Sequence, residues 1–232
     1  MIELIQKKLL LRKCRNGELP ESVCRYLHRF DEGFRAQTPI EDARFVIYDT
    51  ETTGFDFRHD RIISIGAVGT KGEVIDIADS FEVLLRQEVC SERDAVTVHG
   101  LLKRDIDSGL EESEAVCRFL DYLGNAVIVA HHADFDIAMI NQVLSRRFGM
   151  RLFNEALDTA SFAKRLEKGP YYNLAHKGGE YRLDNLCARY GIRLYDRHTA
   201  PGDAYLTAQL FQRLLALGRK AGIDTLGKLL LK

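Results

Sequence analysis

The stretch Phe45-Val46-Ile47-Tyr48-Asp49-Thr50-Glu51-Thr52-Thr53-Gly54 joins a short apolar run to two carboxylates two residues apart. The run reads as a buried strand, so Asp49 and Glu51 fall where that strand ends. Residues i and i+2 of a strand share a face. Two unpaired carboxylates side by side repel each other unless a cation lies between them. Acids at this spacing point to a hard divalent ion held by oxygen ligands.

Downstream of this strand, residues 61–68 and then about 73–77 and 80–85 carry further β signals, which with 44–49 make a meander. Val116, Phe119, Leu120 and Leu123 recur at helical spacing, so 110–123 reads as an amphipathic helix. Ala126-Val127-Ile128-Val129-Ala130 is a short continuous apolar strand of the kind buried in a sheet. A helix from about 134 to 148 follows and stops at Gly149. Then come a short strand near 155–158, a helix near 159–167, a Gly- and Tyr-rich loop over 168–181 and a helix near 183–190. The last long helix runs over about 202–218, with Leu206, Leu210, Leu214 and Leu217 inward. Three leading strands followed by alternating helices and strands make a mixed α/β sheet with helices on its faces. Upstream of Pro39 the chain is helical and amphipathic, with a turn over Arg15–Pro20. The expected organisation is a helical N-terminal extension at 1–41, a main domain at 42–218 and a helical C-terminal tail at 219–232.

The 232 residues, 46% of them hydrophobic, suffice for one large domain with its own core. A net charge of −1 excludes a global basic field, although a local basic rim or bound metal ions can still attract a polyanion. The first forty residues hold eight basic side chains against five acidic ones. The cysteines at 14, 24, 90, 117 and 187 are odd in number and lack a Cys-x-x-Cys pair. Neither a zinc pattern nor a disulfide framework is expected from them, and a reduced cytoplasmic protein is the simplest expectation. The sequence has no signal-peptide pattern and no apolar run of bilayer-spanning length, so no membrane partner is expected.

A second acidic stretch, Ala130-His131-His132-Ala133-Asp134-Phe135-Asp136, again sits where a buried strand passes into a helix. Helix starts favour carboxylates, so Asp134 reads as an N-cap and Asp136, taken alone, as a solvated first-turn acid. His131 and His132 are adjacent, and adjacent residues on a strand point opposite ways, so they make a poor zinc pair. A third stretch, His198-Thr199-Ala200-Pro201-Gly202-Asp203-Ala204, places a histidine before a helix and an acid in its first turn. A lone histidine is more often structural than catalytic. At this offset, however, a loop imidazole and a helical carboxylate can face one cleft, and histidine can take a proton from water near neutral pH. Asp49, Glu51, Asp136, Asp203 and His198, each at the end of an element, can together hold two divalent ions, and such a pair stabilises both the attacking and the leaving oxygen in phosphoryl transfer. Aspartyl-phosphate chemistry would want Asp-x-Asp and usually a downstream lysine. Glu51 as the second acid suits a metal better.

These three stretches resemble the exonuclease motifs of the DEDDh superfamily, the class of the DNA polymerase III epsilon subunit, RNase T and oligoribonuclease. Val98-His99-Gly100, Leu157-Asp158-Thr159 and Leu183-Asp184-Asn185-Leu186-Cys187-Ala188-Arg189-Tyr190-Gly191 add to the resemblance, which covers roughly 43–215. It implies a ribonuclease-H-like fold with a mixed five-stranded sheet flanked by helices. It also implies a 3′→5′ exonuclease that releases nucleoside 5′-monophosphates from single-stranded nucleic acid, with DNA favoured over RNA. In that reading Asp49, Glu51, Asp136 and Asp203 hold two Mg²⁺ or Mn²⁺ ions, and His198 is the general base. Thr52, Thr53, Phe55 and His99 would meet the terminal nucleotide; the competing reading of Phe55 is a plug beside the sheet, and of His99 a helix-start residue. Asp158 is expected to be structural. The partners implied are a DNA or RNA 3′ end, with a polymerase or a second copy of the chain as further candidates. Two departures from the family pattern stand out: His132 replaces a common asparagine, and Pro201-Gly202 precedes Asp203. Other readings are a catalytically silent module that binds nucleic acid or docks on a polymerase, an oligoribonuclease-like enzyme acting on short RNA, and a phosphatase or nucleotidase for small substrates.

Overall fold

Strand β1 (Arg44–Thr52) is apolar on both faces and lies at the centre of a five-stranded sheet. Its alternate residues enter different cores: Val46 and Tyr48 pack on one side of the sheet, Phe45 and Ile47 on the other. The computed structural model describes residues 2–87, 101, 103–169 and 178–231. Val98, His99, Gly100 and Cys90 lie outside the described residues, as does most of the loop expected over 168–181. The remaining strands are β2 (Ile62–Lys71), β3 (Val74–Leu84), β4 (Val127–Ala130) and β5 (Ala156–Asp158). Their order is β3-β2-β1-β4-β5. The pairs β1–β2 and β2–β3 are antiparallel, while β1–β4 and β4–β5 are parallel, so the sheet is mixed as expected.

The two segments expected at 73–77 and 80–85 form one strand. The β2–β3 register slips between Val68 and Gly69, and this irregularity absorbs the residues between them. Asp79 folds over Gly69 there and pairs with Arg44 at 3.0 Å.

Nine helices are described: α1 (Ile2–Arg15), α2 (Glu21–His28), α3 (Lys103–Asp107), α4 (Glu112–Leu123), α5 (Ala133–Phe148), α6 (Thr159–Lys168), α7 (Leu183–Arg189), α8 (Ala200–Lys220) and α9 (Leu226–Leu230). Helices α1, α2, α4 and α5 cover one face of the sheet through Leu10, Tyr26, Phe119 and Met139. Helices α6 to α9 cover the other through Phe162, Leu186, Leu210 and Leu229. The N-terminal helices are thus part of the core. The Tyr26 hydroxyl donates to Asn154 Oδ1 at 2.5 Å and accepts the Phe153 N–H at 2.8 Å.

The expectation for the cysteines needs one correction. Cys14 and Cys24 form a disulfide, with Cα atoms 5.7 Å apart. The turn between α1 and α2 folds the chain into a helical hairpin, which brings residues ten apart side by side. A search for Cys-x-x-Cys spacing does not detect a pair that closes a hairpin. No helix of the described residues is long and apolar enough to cross a membrane.

Candidate active site

The sheet topology collects the acids at one end of β1. Parallel pairing of β4 with β1 ends at Ile47↔Val129, so the corner after β4 falls beside Asp49 and Glu51. Past that point the Thr50 N–H turns to Asp136 Oδ1 at 3.0 Å, and the Thr50 hydroxyl donates to the same oxygen at 2.6 Å. Asp136 is thereby buried, and it is not the solvated acid that its position alone would give. The β1–β2 register shifts between Glu51 and Thr52, a local irregularity that re-aims side chains beside the site.

Asp203 arrives from the opposite side, in the first turn of α8. The partner of Asp49 on β2 is Gly66, and a Cβ there would lie 2.1 Å from Pro201 N and 2.3 Å from Ala200 C. Only the bare backbone of Gly66 lets the start of α8 lie against the sheet. Pro201 occupies the first turn, and Thr199 caps the helix by accepting the Gly202 N–H at 3.2 Å. Gly202 is itself packed on Asp196, where a Cβ would meet the carbonyl oxygen at 2.1 Å. The Pro-Gly pair therefore makes this junction tight.

The result is a cluster in which carboxylate oxygens of Asp49, Glu51 and Asp203 all lie within 4.8 Å of one another. Asp136 stands outside this trio, yet its charge acts on both Asp49 and Glu51. Burial, then the charges of Asp136, Asp203 and Glu51, hold the Asp49 carboxyl well above the usual carboxylate range. Burial and the charges of Asp203 and Asp136 push Glu51 up to about 7. Burial also raises Asp136, against the hydrogen bonds from Thr50. Among the described residues, Asp203 Oδ1 is buried with no hydrogen-bond partner. A buried bare oxygen among crowded acids is a donor set that fits a divalent cation.

The other Asp203 oxygen is occupied. Oδ2 accepts from Arg197 Nη1 and from the His198 N–H at 3.3 Å. Asp196 and His198, on either side of Arg197, have positive φ values of 46° and 65°, an uncommon backbone for non-glycine residues that concentrates at functional sites. The His198 side chain is exposed, and among the described residues its imidazole has no hydrogen-bond partner.

Thr52 and Thr53 are buried and use their hydroxyls inside the turn. Thr52 donates to Gly54 O at 2.6 Å and Thr53 to Asp60 Oδ1 at 2.8 Å. Gln142 of α5 pins this loop through Phe57 O at 2.7 Å and Asp60 O at 3.1 Å. Phe55 is 89% exposed, with its ring centroid 6.3 Å from that of Phe135 on α5, so it is no plug beside the sheet. His99 lies outside the described residues.

Two readings of the second stretch are corrected. The N-cap position of α5 is His132, with φ 60°, and Asp134 is exposed in the first turn. The capping acceptor is instead Asp158, whose Oδ1 takes the His132 N–H at 2.7 Å while its Oδ2 takes the Ser161 N–H at 3.0 Å. Asp158 thus joins two helix starts, which agrees with a structural role. The left-handed residue at 132 also breaks the strand alternation, so the His131 and His132 rings meet edge-on at 4.5 Å. Burial and then His132 lower the His131 ring to about 4.

A family model described as RNase_T, exonuclease, matches residues 46–211. The chain belongs to the RNase_T exonuclease family. Within it, the chain is 32% identical over 182 residues to a DNA polymerase III subunit epsilon from Buchnera aphidicola, covering 72% of this chain and 71% of that one. It is 31% identical over 190 residues to a PolC-type DNA polymerase III from Thermotoga petrophila, covering 82% of this chain but only 13% of the polymerase. The chain therefore spans a small part of such polymerases. Among solved structures, E. coli exonuclease I in complex with a dT13 oligonucleotide superimposes with a TM-score of 0.65 at 18% identity, over 78% of this chain and 42% of that one. Cell-death related nuclease 4 gives 0.64 at 17% identity, over 77% and 65%. The fold is the ribonuclease-H-like fold of this class, and the exonuclease domain is of the DEDDh type.

The residues that sequence reasoning missed are Thr50, Gly66, Arg197 and Asp184. Thr50 and Asp184 lie inside stretches quoted for the resemblance and Arg197 lies directly beside His198, but none was marked for a role of its own.

Proposed function

We propose that this domain is a metal-dependent 3′→5′ exonuclease that hydrolyses single-stranded nucleic acid, DNA in preference to RNA, to nucleoside 5′-monophosphates. The observation that carries this reading is the convergence of the Asp49, Glu51 and Asp203 carboxylates within 4.8 Å, with a bare buried oxygen on Asp203. Two Mg²⁺ or Mn²⁺ ions bound there would supply stabilisation for the charge that develops in phosphodiester hydrolysis. Asp49, Glu51, Asp136 and Asp203 would hold them, and Thr50 fixes Asp136 in place. The exposed His198 imidazole takes the proton of the attacking water. The Phe55 ring stacks on the terminal base. The turn at Thr52 and Thr53 meets the terminal nucleotide, and His99 is a further candidate contact. DNA is favoured because relatives are DNA polymerase III chains and a structural neighbour binds dT13. The same relatives make a polymerase the natural partner.

Matched single-stranded DNA, duplex DNA and RNA, labelled at either end, test the reading with Mg²⁺ and Mn²⁺. The expected result is mononucleotide release from the 3′ end, fastest on single-stranded DNA, and lost both in chelator and in Asp49→Ala. Near-normal turnover by Asp49→Ala, or shortening from the 5′ end, would overturn it.

A further inference from the structure

Arg197 lies outside the five residues of the proposed chemistry, yet among the described residues it is the one cation paired with any of the four acids. Its side chain is 20% exposed and reaches two carboxylates at once. Nη1 donates to Asp203 Oδ2, and Nε donates to Asp184 Oδ1 at 2.5 Å. Asp184 stands in the first turn of α7, a helix anchored in the core by Leu183, Leu186 and Cys187.

We infer that Arg197 is a positioning residue for the metal site, holding Asp203 so that Oδ1 alone faces Asp49 and Glu51, with Asp184 as its counter-charge. The inference rests on the metal-dependent reading above. A carboxylate held at one oxygen by a guanidinium and a backbone N–H cannot turn freely, and its remaining oxygen is fixed in direction. That remaining oxygen is the buried, bare one. A lone guanidinium beside a divalent ion would repel it. Asp184 offsets that charge and ties the guanidinium to a rigid element. Partners that orient a metal ligand in this way typically change metal affinity when removed. The opposite role is also physically coherent: a guanidinium standing in for the cation would compete with it, and its removal would tighten metal binding.

Calorimetric titration of the full chain with Mn²⁺ separates the two. Wild type, Arg197→Met, Arg197→Lys and Asp49→Ala are compared, with thermal melting in chelator confirming that each is folded. Arg197→Met is expected to weaken Mn²⁺ binding about 10–100-fold. Arg197→Lys, which can still donate to Asp203, is expected to recover part of the loss. Unchanged or tighter Mn²⁺ binding by folded Arg197→Met overturns the inference. If Arg197→Met does not fold, Asp184→Asn decides: weakened binding supports the inference and unchanged binding overturns it. Wild type that binds no Mn²⁺ overturns the metal-dependent reading itself, and the inference with it.

Discussion

In the proposed mechanism Asp203 and His198 have different tasks at the third motif. Asp203 is buried and held at one oxygen, whereas His198 gives the other described residues only its backbone N–H, and its ring has no hydrogen-bond partner among them in an exposed, left-handed position. A ring placed this way suits proton transfer better than metal binding. His198→Ala is therefore expected to lower kcat by about 10²–10⁴-fold while leaving Mn²⁺ affinity close to wild type. Loss of affinity as large as in Asp49→Ala would make His198 a ligand or a structural residue. At this level the sequence marked Asp49, Glu51, Asp136, Asp203 and His198 as candidates, and the fold brings the carboxylates of Asp49, Glu51 and Asp203 within 4.8 Å of one another. The sequence did not reveal what holds them. Thr50 looks like one more strand threonine until its N–H and hydroxyl are seen on Asp136, and Asp158 looks like a helix cap without showing that it also caps α5.

The active end of the sheet depends on how closely α8 approaches β2, and Gly66 sets that distance. A methyl group at Gly66 would meet backbone atoms of Pro201 and Ala200, which cannot rotate away as a side chain would. Gly66→Ala is expected to destabilise the domain by about 1–3 kcal/mol and to depress activity further by shifting Asp203 away from Asp49. Denaturant unfolding and oligonucleotide hydrolysis measure both. Wild-type stability together with wild-type activity would show that the contact is dispensable. The elements themselves were readable from periodicity: β1, β4 and the long helix stand where their apolar patterns put them, except that Leu217, expected inward, is exposed at the far end of α8. The close approach was not readable, because a glycine within a strand pattern carries no mark of which distant backbone will lie on it. The same limit explains β3. Its local pattern breaks near Asp79, and only pairing with β2 shows the break to be a register shift inside one strand.

Across the whole molecule, both ends of the chain enter the core of the domain. Tyr26 and Leu27 of α2 pack with Phe119 and Met139, and Leu226 and Leu229 of α9 pack with Phe45 and Phe211. Short amphipathic helices announce an apolar face but not the surface that covers it, which is why the N-terminal helices read as an appendage. The crowded acids act against this stability. Glu51, at about 7 in the fold, would titrate near 4.3 in the unfolded chain. The folded state then binds more protons between these values. The contribution is fully present below about pH 4 and is lost as pH rises through about 7. In chelator, the melting temperature of wild type relative to Glu51→Gln is expected to fall as pH is raised from about 5 to about 8. A difference that rises or stays flat would contradict the crowding described here. A divalent cation would supply the missing counter-charge, and the proposed site is best tested by locating one. Anomalous scattering from crystals grown with saturating Mn²⁺ should show two peaks about 4 Å apart among Asp49, Glu51, Asp136 and Asp203. Absence of any peak at these four acids, with Mn²⁺ bound elsewhere or nowhere, would contradict a two-metal centre at the end of β1.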